Sequence, residues 1–415
     1  MGEEKLKINP QRLLQMIEEL GKISKPSKGV TRLAFTKQFQ EGQQLVRKWM
    51  IAAGMMVKID NLNNLIGRYE GLDQDAPVII IGSHLDTVID GGKYDGALGV
   101  LSGIEVVNVL FENNKRLKNP IEVIGFSDEE GVRFHTTFLG SKAIAGTFIE
   151  ETLKMNDDNG VVLGDVLHQL GLEPYHFKDL ARYSKDVLAY LELHIEQGPV
   201  LEEQSLPVGV VTGIAGASRY SFKITGFAGH AGTVPIRLRQ DALLGASELI
   251  LAIEKIALEN APIVATVGKL NVSPGASNVI PGEITATLDI RDTDVKRKER
   301  VIEEILRAAE DICMKRNLLF HAQKVMETAP VLCDEQIKSA IEFAIQSHGI
   351  KPISLVSGAG HDAMVMANLT KIGMLFIRCK EGISHNPAEY STVEDMEVGA
   401  NVLLDSITQL THQKT

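Results

Sequence analysis

Apolar positions change their period several times along the chain, and each change predicts an element. From about residue 9 to Gly54 they recur at helical spacing, Leu13, Leu14 and Ile17 first, then Phe39, Leu45, Val46 and Trp49, so two helices open the chain. Residues 78–81 and 121–126 are short, apolar and β-branched, as central strands covered on both faces are, and residues 99–111 between them read as a helix. This alternation predicts an α/β layer architecture. A strand follows at 188–195, and from Pro207 the texture shifts to glycines and alternating residues. A half-exposed strand at 220–224, a helix at 239–258, strands at 264–270 and 284–290, a helix at 298–315 and a strand at 318–324 complete a βαββαβ order. That order predicts a ferredoxin-like α+β domain at residues 214–327, inserted into an outer domain made of 1–213 and 328–415.

Composition narrows the function classes. The chain has 415 residues, 44% of them hydrophobic, with a mean hydropathy of +0.02, enough for a large core and far from a disordered composition. A net charge of −11 argues against nucleic acid or an anionic membrane as partner. The densest basic run, Lys296-Arg297-Lys298 with Arg300, is flanked by acids and reads as a solvated helix face. Three scattered cysteines, Cys313, Cys333 and Cys379, encode neither a disulfide framework nor a thiolate metal site. The N-terminal Met1-Gly2-Glu3-Glu4-Lys5 is charged rather than signal-like, and no apolar run reaches the roughly 18 residues of a membrane span. A cytoplasmic enzyme is the expectation.

Candidate chemistry gathers where strands end. Gly82-Ser83-His84-Leu85-Asp86-Thr87 follows the first central strand and puts His84 and Asp86 on one side. Asp86 could orient the imidazole. Gly91-Gly92-Lys93-Tyr94-Asp95-Gly96 is a glycine-bounded loop that can present Asp95 closely. Ser127-Asp128-Glu129-Glu130-Gly131 sets three acids at the end of the second strand, where they repel unless cations compensate or a helix N-terminus receives them. In Leu191-Glu192-Leu193-His194-Ile195-Glu196, alternation puts Glu192, His194 and Glu196 on one face, facing either solvent or a ligand. A last histidine loop is Ile383-Ser384-His385-Asn386-Pro387-Ala388-Glu389. Taken singly, each has a structural reading: a hydrogen-bonded core histidine, a turn, an exposed helix start, a surface loop. Together they are a nitrogen and oxygen donor set without thiolates, suited to two divalent ions such as Mn, Zn, Co or Ni.

At this point nearly the whole chain resembles the aminoacylase-type dinuclear metallopeptidase and amidohydrolase family, with GSHLDT, GG..DG, DEEG and ISHNPAE in order. The resemblance implies a three-layer catalytic domain with a central mixed sheet, an inserted lid that also dimerises, and two metals per subunit, manganese first among the candidates. Asp95 would then bridge the metals, with His84 and His194 on one and Glu130 and His385 on the other, while Glu129 acts as general base and Asp86 supports His84. His194 narrows the branch: peptidases of the family generally carry a carboxylate there, whereas members that hydrolyse ureido compounds carry histidine within ELHIEQG, and Gln197 of that segment would face substrate.

The inserted domain adds Gly229-His230-Ala231-Gly232-Thr233, Ser277-Asn278-Val279-Ile280-Pro281-Gly282 and Asp289-Ile290-Arg291-Asp292. By resemblance His230 would stabilise the oxyanion, from the partner's lid in a homodimer, Asn278 would bind polar substrate atoms, and Arg291, with Arg219 second, would hold a carboxylate. Each also has a structural reading, a turn, a cap, or an ion pair with Asp289 or Asp292. Ser357-Gly358-Ala359-Gly360-His361-Asp362-Ala363-Met364, with Gly360 facing substrate, and ISHNPAE look like the allantoate amidohydrolases. N-carbamoyl-L-amino acid hydrolases tend toward SGAAHDS and VSHSPAE and are the alternative. Both take a small anionic ureido substrate. A metal-holding scaffold without turnover is the alternative of another class, and the complete ligand set with Glu129 argues against it. No GxSxG, HExxH, GxxxxGK[ST] or GxGxxG is present.

Overall fold

The computed structural model describes residues 6–412, so Met1–Lys5 and the reading of it as charged and not signal-like lie outside the described residues. Packing divides the chain into two units, one of Met1–Thr212 with Leu332–Thr415 and one of Gly213–Val331.

In the first unit, Pro10–Gly21 is a helix because Asn9 caps it, accepting from the Gln11 and Arg12 amides, and Pro10 takes the first turn. Thr36 caps the next helix, Lys37–Ala52. Nine strands form a mixed sheet in the order Met56–Ile59, Leu65–Tyr69, Ile121–Phe126, Val78–His84, Val187–Ile195, Ile372–Ile377, Val208–Ile214 and Val331–Leu332, with Ser354–Ser357 also pairing Val208–Ile214. The four from Ile121–Phe126 to Ile372–Ile377 are mutually parallel, and the helix Ala97–Glu112 crosses between the first two of them in sequence. Ile79, Ile81, Val123, Leu191, Leu193 and Leu375 pack with Leu13, Leu101, Ile341 and Leu403 of the helices in one large core. Their sheet neighbours Tyr190, Glu192, His194 and Phe376 are buried apart from that core, toward the short helix Asp362–Met366.

The second unit is a four-stranded antiparallel sheet, Leu319–Glu327, Gly216–Thr225, Glu283–Asp292, Val264–Ser273 in spatial order, the fourth strand beside the first as a ferredoxin-like unit requires. Its helices Ala242–Glu259 and Val295–Lys315 lay Leu249, Ile253, Val301 and Ile305 against Phe222, Ile224, Leu288 and Ile290.

Residues 208–214 belong to the large sheet, antiparallel to Ile372–Ile377. One expectation changes. Lys298 is not on a solvated face: it is 1% exposed, and its Nζ donates to Glu327 Oε1 at 2.9 Å. Charge runs read as solvated because most are, but this one crosses the apolar stripe of its helix, where an acid on the adjoining strand receives the ammonium. Lys298→Met is expected to lower stability by about 1–3 kcal/mol, since it removes a charge-assisted bond. Lys296→Met should stay within about 0.5 kcal/mol. Urea unfolding of both variants measures the difference, and equal shifts would contradict the burial.

Candidate metal centre

The parallel strands deliver the donors. His84 is the last residue of Val78–His84, His194 the eighth of Val187–Ile195, and the turn 127–131 leaves the end of Ile121–Phe126, so all three arrive at one edge of the sheet. The loop after His84 brings back Asp95, and a late loop brings His385.

Asp95 stands at the middle. His84 Nε2 and His194 Nε2 lie 3.4 and 3.1 Å from its Oδ1, and His385 Nε2 lies 3.2 Å from its Oδ2 and 3.5 Å from Glu130 Oε1. The two carboxylate oxygens thus serve two separate groups of donors, Asp95 with His84 and His194, and Asp95 with Glu130 and His385, each within 4.8 Å. His84 Nδ1 faces the Asp86 carbonyl and His194 Nδ1 the Ile195 carbonyl, both at 2.9 Å. A carbonyl only accepts, so Nδ1 carries the hydrogen and a neutral ring turns the Nε2 lone pair toward Asp95. Left unprotonated, acceptor would face acceptor in a buried place, which needs a proton or a metal cation between them. The donor set, imidazole and carboxylate on both sides, fits borderline divalent ions.

The rest of the site holds that geometry. Asp86 turns its carboxylate away from His84, with Oδ1 at 4.0 Å from Nδ1, and accepts the Glu129 and Glu130 amides at 3.2 Å each. The Asp86 backbone, not its side chain, fixes the imidazole, which corrects the role expected of it. Gln197 Nε2 donates to Asp95 Oδ2 and to Ser384 Oγ, both at 3.0 Å, so it faces the Asp95 carboxylate. Glu389 takes the amides of Tyr94 and Asp95 on Oε1, at 2.9 and 3.1 Å, and the Ser384 hydroxyl on Oε2. Gly96 has φ of 63°, and a Cβ there would come within 2.5 Å of the His84 ring. Asp128, Gln197 and His385 are all left-handed, at φ of 53°, 55° and 54°, strain of the kind that accumulates at functional sites.

Charge is concentrated to match. Burial opposes ionisation of Asp95, but the three imidazoles prevail and hold its carboxyl well below the usual range. Burial also opposes protonation of His84, which Glu129, Asp95 and Asp86 outweigh, lifting it well above an ordinary imidazole. The Asp95 contact lifts His385 to about 8. Burial drives the carboxyls the other way: Glu130 goes up to about 7, and Glu129, with Glu130, Asp362 and Asp86 adding to it, well above the usual range. Behind the donors, Glu192 is fully buried and accepts from Ser83, Tyr190 and the Ala363 amide, and the His361 ring stacks edge-on to His194 at 4.5 Å. The polar face of that strand is therefore interior. Sequence reasoning passed over Glu389 and Glu192 although both stood in quoted motifs, and spacing gave them no distinguishing signal. Gly360, exposed, immediately precedes buried His361.

In the second unit, His230 pairs with Val279, and the Ala231 amide donates to the Asn278 carbonyl at 3.0 Å, so His230 and Asn278 are neighbours. His230 Nδ1 accepts the Gly232 amide at 3.0 Å, which leaves hydrogen on Nε2 as an outward donor. Arg219 and Arg291 both bind Asp289, at 2.6 and 2.7 Å, the ion-pair reading for Arg291.

A carboxylate shared by two nitrogen and oxygen donor sets, with a buried acid beside it, fits a two-metal centre. The chain belongs to Peptidase family M20/M25/M40, which matches residues 80–409 and is dinuclear metal-dependent. It is 46% identical over 404 residues to the N-carbamoyl-L-amino acid amidohydrolase of Geobacillus stearothermophilus, covering 97% of this chain and 99% of that one. Allantoate deiminase 1 of Glycine max is 40% identical over 410 residues, covering 91% and 85%. A crystal structure of an amidase of the hydantoinase/carbamoylase family from Burkholderia multivorans superposes with a TM-score of 0.94 at 35% identity, over 99% of this chain and 100% of that one. The chain is a hydrolase acting on non-peptide C–N bonds.

Because the imidazoles are raised in the metal-free protein, a divalent ion has to displace their protons. Metal affinity should therefore fall as pH drops below about 8, the value for His385, and binding at neutral pH should release protons. Calorimetry of Mn2+ binding in buffers of different ionisation enthalpy measures this, and a proton-neutral binding event would contradict it.

Proposed function

We propose that this enzyme cleaves a ureido C–N bond beside a carboxylate, with allantoate as substrate: allantoate and water give ureidoglycine, ammonia and carbon dioxide. The observation that carries the hydrolytic reading is Asp95, whose two oxygens face separate imidazole sets next to buried Glu129. The GAGHDAM and ISHNPAE segments support allantoate, together with relatives named allantoate deiminase at 40% identity. The second reading, an N-carbamoyl-L-amino acid substrate, is favoured by relatives so named at 46% and 43%.

In this reading His84, His194, Asp95, Glu130 and His385 hold two divalent ions, with manganese proposed ahead of zinc, cobalt and nickel. When bound, the ions would acidify a water, polarise the scissile carbonyl and offset the raised pKa of Glu129. Glu129 takes the proton from the attacking water and returns it to the departing nitrogen. His230 donates from Nε2 to the developing oxyanion, a role its Nδ1 bond to Gly232 favours. Arg291, with Arg219, anchors the substrate carboxylate while keeping Asp289 as partner, and Asn278 binds the ureido group. Gln197 orients Asp95, and Gly360 leaves room at the rim.

Self-association through the inserted unit is part of the proposal. Leu244, Leu251 and Leu258, 46%, 67% and 74% exposed, recur every seven residues on the helix Ala242–Glu259, beside the edge strand Val264–Ser273. Such a stripe beside an open edge is material for a symmetric dimer. No helix among the described residues is long and apolar enough to cross a membrane. Three buried, unpaired cysteines support a cytoplasmic setting.

Ammonia release from allantoate and from N-carbamoyl amino acids, after Mn2+ loading and with an EDTA control, tests the function. Faster turnover of the carbamoyl substrates would replace the allantoate reading, and turnover of neither would return a scaffold. Glu129→Gln should keep its metal and lose about 100-fold or more in kcat. Asp95→Ala should lose metal itself, and metal analysis showing both ions retained would end the bridging role. Mixed Glu129→Gln and His230→Ala subunits should recover toward about a quarter of wild-type activity if His230 serves the partner's site, since each heterodimer then holds one intact site. No recovery after verified exchange would mean that His230 serves its own chain.

A further inference from the structure

Arg32 is the largest fully buried side chain of the protein's described residues, 1% exposed, and among those residues its guanidinium meets no carboxylate at ion-pair distance. It donates instead to carbonyls: Nε to Leu85 at 2.9 Å, Nη1 to Leu20 at 3.0 Å and to Ile23 at 3.2 Å. Burial pushes its pKa down to about 10, against the attraction of Asp86, so it remains a cation at neutral pH. A lone buried cation is costly unless something nearby uses it. Its surroundings make room for it: a Cβ on Gly42 would sit 2.9 Å from Arg32 Cδ.

The segment that carries Arg32 is a strap along the loop between His84 and Asp95. The Lys28 and Gly29 amides donate to Asp90 Oδ1 at 2.8 and 3.2 Å, and the Asp90 amide to Thr31 Oγ1 at 2.8 Å. Val30 and Gly91 exchange both backbone bonds at 2.9 Å. The Arg32 amide donates to Thr87 Oγ1 at 2.9 Å, and the Thr87 amide to the Arg32 carbonyl at 3.2 Å. Arg32 therefore grips residues 85 and 87, on either side of Asp86. The Asp86 carbonyl holds His84 Nδ1, and its carboxylate holds the Glu129 and Glu130 amides. The strap lies ahead of the family-matched residues 80–409.

We propose that Arg32 is a positioning residue for the metal centre, setting the peptide on which Asp86 orients the His84 ring and the Glu129–Glu130 turn. The inference rests on reading His84 and Asp95 as metal ligands. Partners one step removed from a metal typically carry 10–100-fold in affinity.

Mn2+ alone, titrated calorimetrically into the full chain well below its unfolding temperature, tests it. Arg32→Met should weaken Mn2+ binding about 10–100-fold with near-ultraviolet circular dichroism unchanged. Arg12→Met is the control for lost stability, since Arg12 pairs with Glu105 and Glu112 in the same unit and touches nothing in the strap. It should lower the unfolding temperature while leaving Mn2+ affinity within about threefold. If Arg32→Met does not fold, Arg32→Lys carries the test, because it keeps the charge but cannot reproduce the Nε bond to Leu85, and about tenfold weaker binding is expected. Wild-type affinity in the folded variant, or a loss no greater than that of Arg12→Met, overturns the proposal. A wild-type protein that binds no Mn2+ removes the metal-centre reading and this inference together, an outcome distinct from intact binding that Arg32 leaves unchanged.

Discussion

One carboxylate sets the terms for the first unit. Asp95 is buried and ionised because three imidazoles converge on it, and they converge because their other nitrogens or their loops are tied elsewhere. Repulsion between the Nε2 lone pairs and Asp95 would drive the rings apart if they could turn. They cannot, since the Asp86 and Ile195 carbonyls fix two of them and the late loop fixes the third. A site shaped this way is prepared for positive charge before any arrives, and the protons drawn onto His84, His194 and His385 are the metal-free substitute.

The same logic explains why the ends of the chain meet here. Glu389 would be an expensive burial on its own account, 4% exposed and acidic beside Asp95, yet both of its oxygens are occupied by donors. Its bonds to the Tyr94 and Asp95 amides lie across nearly three hundred residues of sequence, so Asp95 is held in place by both segments of the discontinuous unit. Gly92 belongs to this contact: a Cβ there would fall 2.1 Å from Glu389 Oε1. The glycine-bounded loop is thus as much a requirement of Glu389 as of Asp95.

How much of this was legible depended on whether a residue's role is local. Hydrophobic period revealed the central strands, the crossover helix and the βαββαβ unit, since burial on two faces or one leaves a trace in the sequence itself. The donors were visible as polar residues at strand ends. Lys298, Glu192 and Glu389 were not, because each is defined by a partner distant in sequence: Glu327, Ser83 and the Tyr94–Asp95 amides. Arg291 was open between an ion pair and a substrate anchor for the same reason, its Asp289 contact being one of several the segment permits.

Adjacent Glu129 and Glu130 are buried to different depths, and the backbone of their turn shows how. Asp128, at φ of 53°, breaks the extended run of the preceding strand, so the residues after it no longer alternate across the sheet. Asp86 then takes both the Glu129 and Glu130 amides on its two oxygens, which holds the turn so that a carboxylate oxygen of each glutamate lies within 4.8 Å of the other and of a His84 ring nitrogen. Glu130 reaches the His385 side at 3.5 Å and is raised to about 7, while the more buried Glu129 lies near His84 and is held well above the usual carboxylate range by burial, Glu130, Asp362 and Asp86. The two carboxyls thus differ in the depth to which one turn delivers them, and that turn is held by the residue whose carbonyl orients His84.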